Sequence, residues 1–209
     1  MIQARTFPTI ALALFLLALS ATAQKSEAPA PDYFPLRAGD SWTYRSTSTD
    51  SQYSVKVASV EKQTDGTTRY LVEKLVGAKV LMWFSKAGGS VLMHFEQYPE
   101  HEGLEMKYEP ARPYLKNPLV AGSQWGWTGK DITQTDLEED NQVTGPEDVT
   151  VPAGKFRAMK VVTRVAGTST PMTKTNWYAD GVGLVKSATE GGQIKYGFEL
   201  TDYSFKKKD

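Results

Sequence analysis

Apolar and polar side chains alternate with a period of two along much of the chain, and glycine-bearing turns cut the alternation into short lengths. In Gln52–Gln63, Tyr53, Val55 and Val57 alternate with Ser54 and Lys56, as expected of a strand with one face on a core and the other in water. The turn Thr64-Asp65-Gly66, the runs Thr67–Val76 and Lys79–Ser85, the turn Ala87-Gly88-Gly89 and the run Ser90–Gln97 then read as successive hairpins. Val80–Phe84 is apolar at every position, so both of its faces need cover, which one open sheet cannot supply. Further strands are expected around Trp125 and Trp127 within Asn117–Asp131, in Val149–Val165, and in Met172–Tyr178, Leu184–Ala188 and Gln193–Phe205. No segment sustains the spacing of a long amphipathic helix. The pattern predicts an all-β fold, either a single curved antiparallel sheet or an open half-barrel.

The exception to dense punctuation is Tyr98–Pro118, which carries Pro99, Pro110, Pro113 and Pro118. Long connections in compact domains tend to be functional lids or disordered segments, and this one is expected to fold as a lid over the outward side chains of Val80–Phe84.

The two halves of the chain resemble each other. Pro35–Tyr44 aligns with Pro118–Trp127, matching at Pro, Leu, Ala, Gly and Trp, and the block from Trp83 to Val91 aligns with that from Trp177 to Val185. The order of the two blocks is the same in each half, which predicts a duplicated unit with approximate two-fold symmetry. Trp42 and Tyr44, like Trp125 and Trp127, are two residues apart and share a strand face. Exposed, such pairs would stack on sugar rings. Their recurrence at the same place in both halves points instead to core.

The N-terminus changes where this fold is expected to work. Arg5 precedes the apolar run Ile10–Leu19, which is too short to cross a membrane core of about 30 Å, and Ala21 and Ala23 supply the small residues of a peptidase site. Residues 1–23 read as a signal peptide cleaved after Ala23, 24–32 as a flexible linker, 33–205 as a single β domain and 206–209 as a basic tail. The expected product is exported, to the periplasm or beyond. No cysteine follows the apolar run to carry a lipid, and no transmembrane anchor remains after cleavage. Removing 23 of 209 residues leaves 186 residues with 23 basic and 24 acidic side chains. That balance, clustered only at Lys206-Lys207-Lys208, argues against nucleic acid as a partner. With no cysteine anywhere, disulfides, thiolate metal sites and thiol nucleophiles are excluded.

Candidate chemistry is sparse. Both histidines, His94 and His101, fall in one acidic stretch, and in an extended strand His94 and Glu96 would share a face. That is a weak metal-site pattern without the two-histidine helix spacing of zinc proteases. Ser90, in Gly88-Gly89-Ser90, lacks the glycine two residues later that a nucleophile elbow requires. Gly126–Asp131 fails as a phosphate loop because Gln124 and Asp131 stand where glycine and Ser/Thr are needed. Asp136–Asp140 lacks the alternating ligands of a calcium loop and reads as a charged hairpin tip. No catalytic residue and no cofactor are expected.

The runs Val149–Ala158, Asn176–Lys186 and Glu199–Tyr203, with the opening Pro35–Tyr44, resemble the TapB-like proteins, exported bacterial proteins of unknown function. The resemblance implies a curved antiparallel sheet similar to the half-barrels of periplasmic lipoprotein carriers, without catalytic residues. Many such proteins are lipoproteins, whereas this chain has no lipidation cysteine. The function expected is non-catalytic: an apolar small molecule or an envelope protein bound in the concave face, with Met82, Trp83, Phe84 and Met93 as the binding residues. The alternatives are an envelope scaffold with a filled core and a weak hydrolase built on His94, Glu96 and Ser90.

Overall fold

The computed structural model describes residues 29–167 and 170–205, so the expected signal peptide, most of the expected linker and the expected basic tail lie outside the described residues. Among the described residues there is no helix. Twelve strands follow one another: β1 (Ser41–Ser46), β2 (Gln52–Lys62), β3 (Thr68–Val76), β4 (Ala78–Ala87), β5 (Ser90–Gln97), β6 (Glu105–Lys116), β7 (Gln124–Lys130), β8 (Asp136–Val151), β9 (Gly154–Ala166), β10 (Met172–Ala179), β11 (Gly183–Gly191) and β12 (Ile194–Ser204). They form one antiparallel sheet in the order β6-β5-β4-β3-β2-β1-β12-β11-β10-β9-β8-β7. The sheet curls into a nearly closed barrel whose one unsealed seam lies between β6 and β7.

Two six-stranded meanders, β1–β6 and β7–β12, repeat each other in detail. Gly39 N donates to Val57 O at 2.8 Å and Val57 N to Asp40 O at 2.9 Å; Gly122 N donates to Val143 O at 2.8 Å and Val143 N to Ser123 O at 2.9 Å. Gly39 and Gly122 sit at φ 88° and 83°, a left-handed conformation in which a side chain is strained, so both turns require glycine. Each turn delivers a valine, Val57 or Val143, that is wholly buried. Later in each meander the register shifts immediately after a tryptophan, Trp83 on β4 and Trp177 on β10. The next residue, Phe84 or Tyr178, is buried in the core. Two-fold symmetry would make β1/β12 and β7/β6 equivalent junctions, yet only β1 and β12 are joined by a backbone ladder.

The expected lid is instead part of the sheet. Most of the proline-rich connection, Glu105–Lys116, is the edge strand β6, paired with β5. A strand with one unpaired edge tolerates residues that lack an N–H, and Pro110 and Pro113 occupy such a strand. Val80 and Phe84 bury themselves inside the barrel, while on the outer face Trp83 packs edge-on against Phe95, ring centroids 5.1 Å apart. The outer face of this apolar run is therefore partly covered by its own sheet neighbour, with Leu81 and Trp83 left half-buried. Asp136–Asp140 is also not a hairpin tip but the start of β8; the turn lies before it, where Asp131 Oδ1 accepts from the backbone N–H of Thr133 and Thr135.

Candidate functional site

The barrel interior is closed at one end by the segment that precedes β1. Gly181 N donates to Asp32 O at 2.9 Å, and Asp32 N donates back to Asp180 Oδ1 at 2.8 Å, tying the segment to the β10–β11 turn. The Asp32 carboxylate accepts from Lys86 Nζ at 2.8 Å and from Asn117 Nδ2 at 2.7 Å, tying it to the first meander as well. Burial would raise the Asp32 pKa, but the hydrogen bonds from Lys86 and Asn117 outweigh it and hold the carboxyl below its ordinary value. Phe34 then points inward against Phe84 and Tyr114, with centroids 5.5 and 5.4 Å away.

Beneath this plug lies an apolar cavity of about 130 Å³ whose walls include Phe34, Leu36, Trp42, Met82 and Phe84. Tyrosines from both meanders complete it. Tyr44 stacks on Tyr53 with centroids 4.8 Å apart and donates its hydroxyl to Leu184 O at 2.9 Å. Burial raises the pKa of Tyr44, Tyr53, Tyr114 and Tyr178, so all four stay neutral and can act as donors. Lys74 also lines the cavity, because its cross-strand neighbours Val55 and Val80 share its inward face. Desolvation lowers its pKa, Glu96 raises it and Lys174 lowers it again, for a net shift below the ordinary lysine value.

The unsealed seam is closed by side chains in place of backbone. Trp125 Nε1 donates to Pro113 O at 2.9 Å, and Arg112 of β6 reaches Glu139 of β8 inside the barrel. The Arg112 guanidinium lies 5.4 Å from the centre of the Trp127 ring, which meets Tyr108 edge-on at 5.7 Å. Desolvation would lower the Arg112 pKa; Glu139 and its hydrogen bonds reverse the effect and fix the positive charge. Glu96 is engaged separately, accepting from the hydroxyls of Tyr98 and Tyr108 at 3.0 Å each. Burial and the facing Glu96 push the Tyr98 hydroxyl up to about 12.

Of the residues expected to bind, Met82 and Phe84 line the cavity, and Met93 is buried beside Phe84 on the same face. Trp83 is on the opposite face, where it lines an outer cleft with Arg69 and His94. His94 and Glu96 do not share a face. The register shift between Met93 and Phe95 makes His94 a bulged residue, outward beside Phe95, while Glu96 pairs with the inward Met82. The hydroxyl partner of His94 is Ser85, at 2.8 Å from Nε2, not Ser90. Desolvation and then Arg69 lower the His94 pKa, which favours neutral imidazole. Sequence reasoning missed Lys74, Tyr53, Tyr114, Arg112 and Glu139. The signal for Lys74 was present, since Tyr70, Val72 and Lys74 occupy one side of an alternating run.

A family model described as DUF3108-like matches residues 127–191, from within β7 to the end of β11. A search of curated proteins found no match. Among solved structures, a candidate exported protein with a YmcC-like fold from Bacteroides fragilis aligns with a TM-score of 0.53 at 14% identity, covering 84% of this chain and 100% of that one. A candidate lipoprotein from Parabacteroides distasonis aligns with a TM-score of 0.50 at 14% identity, covering 85% of this chain and 100% of that one. The chain is thus similar in fold to these two proteins over about 85% of its length, and similar to the DUF3108-like family over residues 127–191, from β7 to β11.

Proposed function

We propose that this is an exported, non-catalytic binding protein that receives the apolar part of a small ligand inside its barrel. The observation that carries the reading is the apolar cavity of about 130 Å³ between the plug and the tyrosines. Well-packed cores leave few voids larger than a water molecule, and a cavity of about 150 Å³ with apolar walls is known to accept benzene. The occupant is therefore limited to about one ring or a short chain. Export is supported by Arg5, the apolar run Ile10–Leu19 and the small residues Ala21 and Ala23, and by the descriptions of the two similar structures. The TapB-like resemblance agrees with this reading.

The test is a titration of methyl-13C-methionine protein with 2-phenylethanol, followed by NMR. The methyl of Met82, in the cavity wall, should shift saturably while Met172 does not. Val55→Phe, which fills the cavity from β2, should abolish the response. A Met82 methyl that ignores the alcohol would instead favour a scaffold with a filled core.

A further inference from the structure

The cavity wall holds one cation and no anion. None of its fifteen lining residues is Asp or Glu, and Lys74 is its only charged member. Lys74 Nζ sits 4.9 Å from the centre of the Tyr53 ring, and among the described residues no carboxylate lies within ion-pairing distance of it. The two interior carboxylates that influence Lys74 or Lys174 are hydrogen-bonded elsewhere: Glu96 to Tyr98 and Tyr108, and Glu139 to Arg112. Two further donors are free. The hydroxyls of Tyr53 and Tyr114, both in the cavity wall, have no hydrogen-bond partner among the described residues. A desolvated ammonium beside an apolar void is costly unless an anion accompanies it.

We infer that Lys74, with the hydroxyls of Tyr53 and Tyr114, forms a carboxylate-binding site, so that the ligand is a small organic acid whose apolar body, about one aromatic ring in size, fills the cavity. This rests on the binding reading above and adds the chemical class. All three groups come from the first meander, from β2, β3 and β6. Desolvation lowers the pKa of Lys74 of β3, Glu96 offsets part of that and Lys174 of β10 adds to it, so an anion at Lys74 would counter both the desolvation and the repulsion between the two ammonium groups.

The experiment compares phenylacetate with 2-phenylethanol, equal in ring and differing in charge, by the same methionine-methyl titration at pH 7. A charge-assisted hydrogen bond predicts that phenylacetate binds roughly 10- to 100-fold tighter than the alcohol. Lys74→Met should bring phenylacetate down to the affinity of the alcohol and leave alcohol binding in place. Equal affinity of acid and alcohol in the unmodified protein overturns the carboxylate site and leaves the apolar cavity standing. An acid preference that survives both Lys74→Met and Tyr53→Phe also overturns it. Failure of both compounds to move the Met82 methyl defeats the cavity reading and this inference with it. Should Lys74→Met not fold, Lys74→Gln serves in its place, and the comparison in the unmodified protein decides by itself.

Discussion

Arg112 donates two hydrogen bonds to Glu139, from Nε to Oε2 at 3.0 Å and from Nη2 to Oε1 at 2.6 Å, across the one junction of the sheet that has no backbone ladder. Glu139 is 4% exposed, so the pair is desolvated. At the pseudo-equivalent junction, β1 and β12 are joined by six residue pairs, with one shift of register between Thr43 and Tyr44. One buried ion pair, with Trp125 and the aromatic groups around Arg112, does at the seam what a ladder does on the other side.

Removing one partner of that pair leaves a buried charge alone. Arg112→Met is expected to destabilise the protein by about 3–5 kcal/mol, and Arg112→Met with Glu139→Leu should recover most of the loss. Urea denaturation followed by far-UV circular dichroism measures both. A double variant no more stable than the single one would mean that the pair holds the seam by geometry no apolar contact can replace.

Trp125→Phe tests the second tie. It keeps an aromatic ring and deletes the hydrogen bond to Pro113 O, at an expected cost of roughly 1 kcal/mol. Amide hydrogen exchange should accelerate in β6 and β7 and stay unchanged in β1 and β12. Equal acceleration at both junctions would show that the seam is not the weaker of the two.

Gly129 lies under the Trp127 ring so closely that an added Cβ would collide with it. Gly129→Ala should therefore displace the ring and cost about 1–3 kcal/mol. The near-UV circular dichroism should change more than the far-UV signal. An unchanged near-UV spectrum with unchanged stability would place the ring elsewhere.

The plug should respond to acid. The folded pKa of Asp32 lies below its ordinary value of 3.8, so as pH falls the unfolded chain takes up the proton first. The stabilisation is complete above about pH 3.8 and is lost as pH falls through the folded value. Asp32→Asn should lower stability at pH 7 and flatten its pH dependence below pH 4, measured by urea denaturation at a series of pH values. Parallel curves for the two proteins would remove Asp32 from the plug.

Hairpins and repeat were legible because both are local. Alternation in Gln52–Gln63 and glycines at fixed offsets in Pro35–Trp42 and Pro118–Trp125 follow from two residues per strand period and one residue type that accepts positive φ. The strand β6 was not legible, since prolines that argue against a central strand are harmless on an edge, and edge position is a property of the whole sheet. The bulge that separates His94 from Glu96 shifts one residue between faces without any glycine to announce it. Arg112 and Glu139 are 27 residues apart on strands that do not pair, so their meeting depends on how far the sheet curls. Lys74 was visible as an inward lysine, but that its face encloses a cavity depends on both meanders.

The most direct test of a ligand inside the barrel is a crystal structure of the protein soaked with 4-bromophenylacetate, with data collected at the bromine absorption edge. The predicted result is one anomalous bromine peak within the barrel, between Met82 and Phe84, with the carboxylate at Lys74. A barrel interior without a peak, or bromine bound only in the outer cleft beside Trp83, would contradict it.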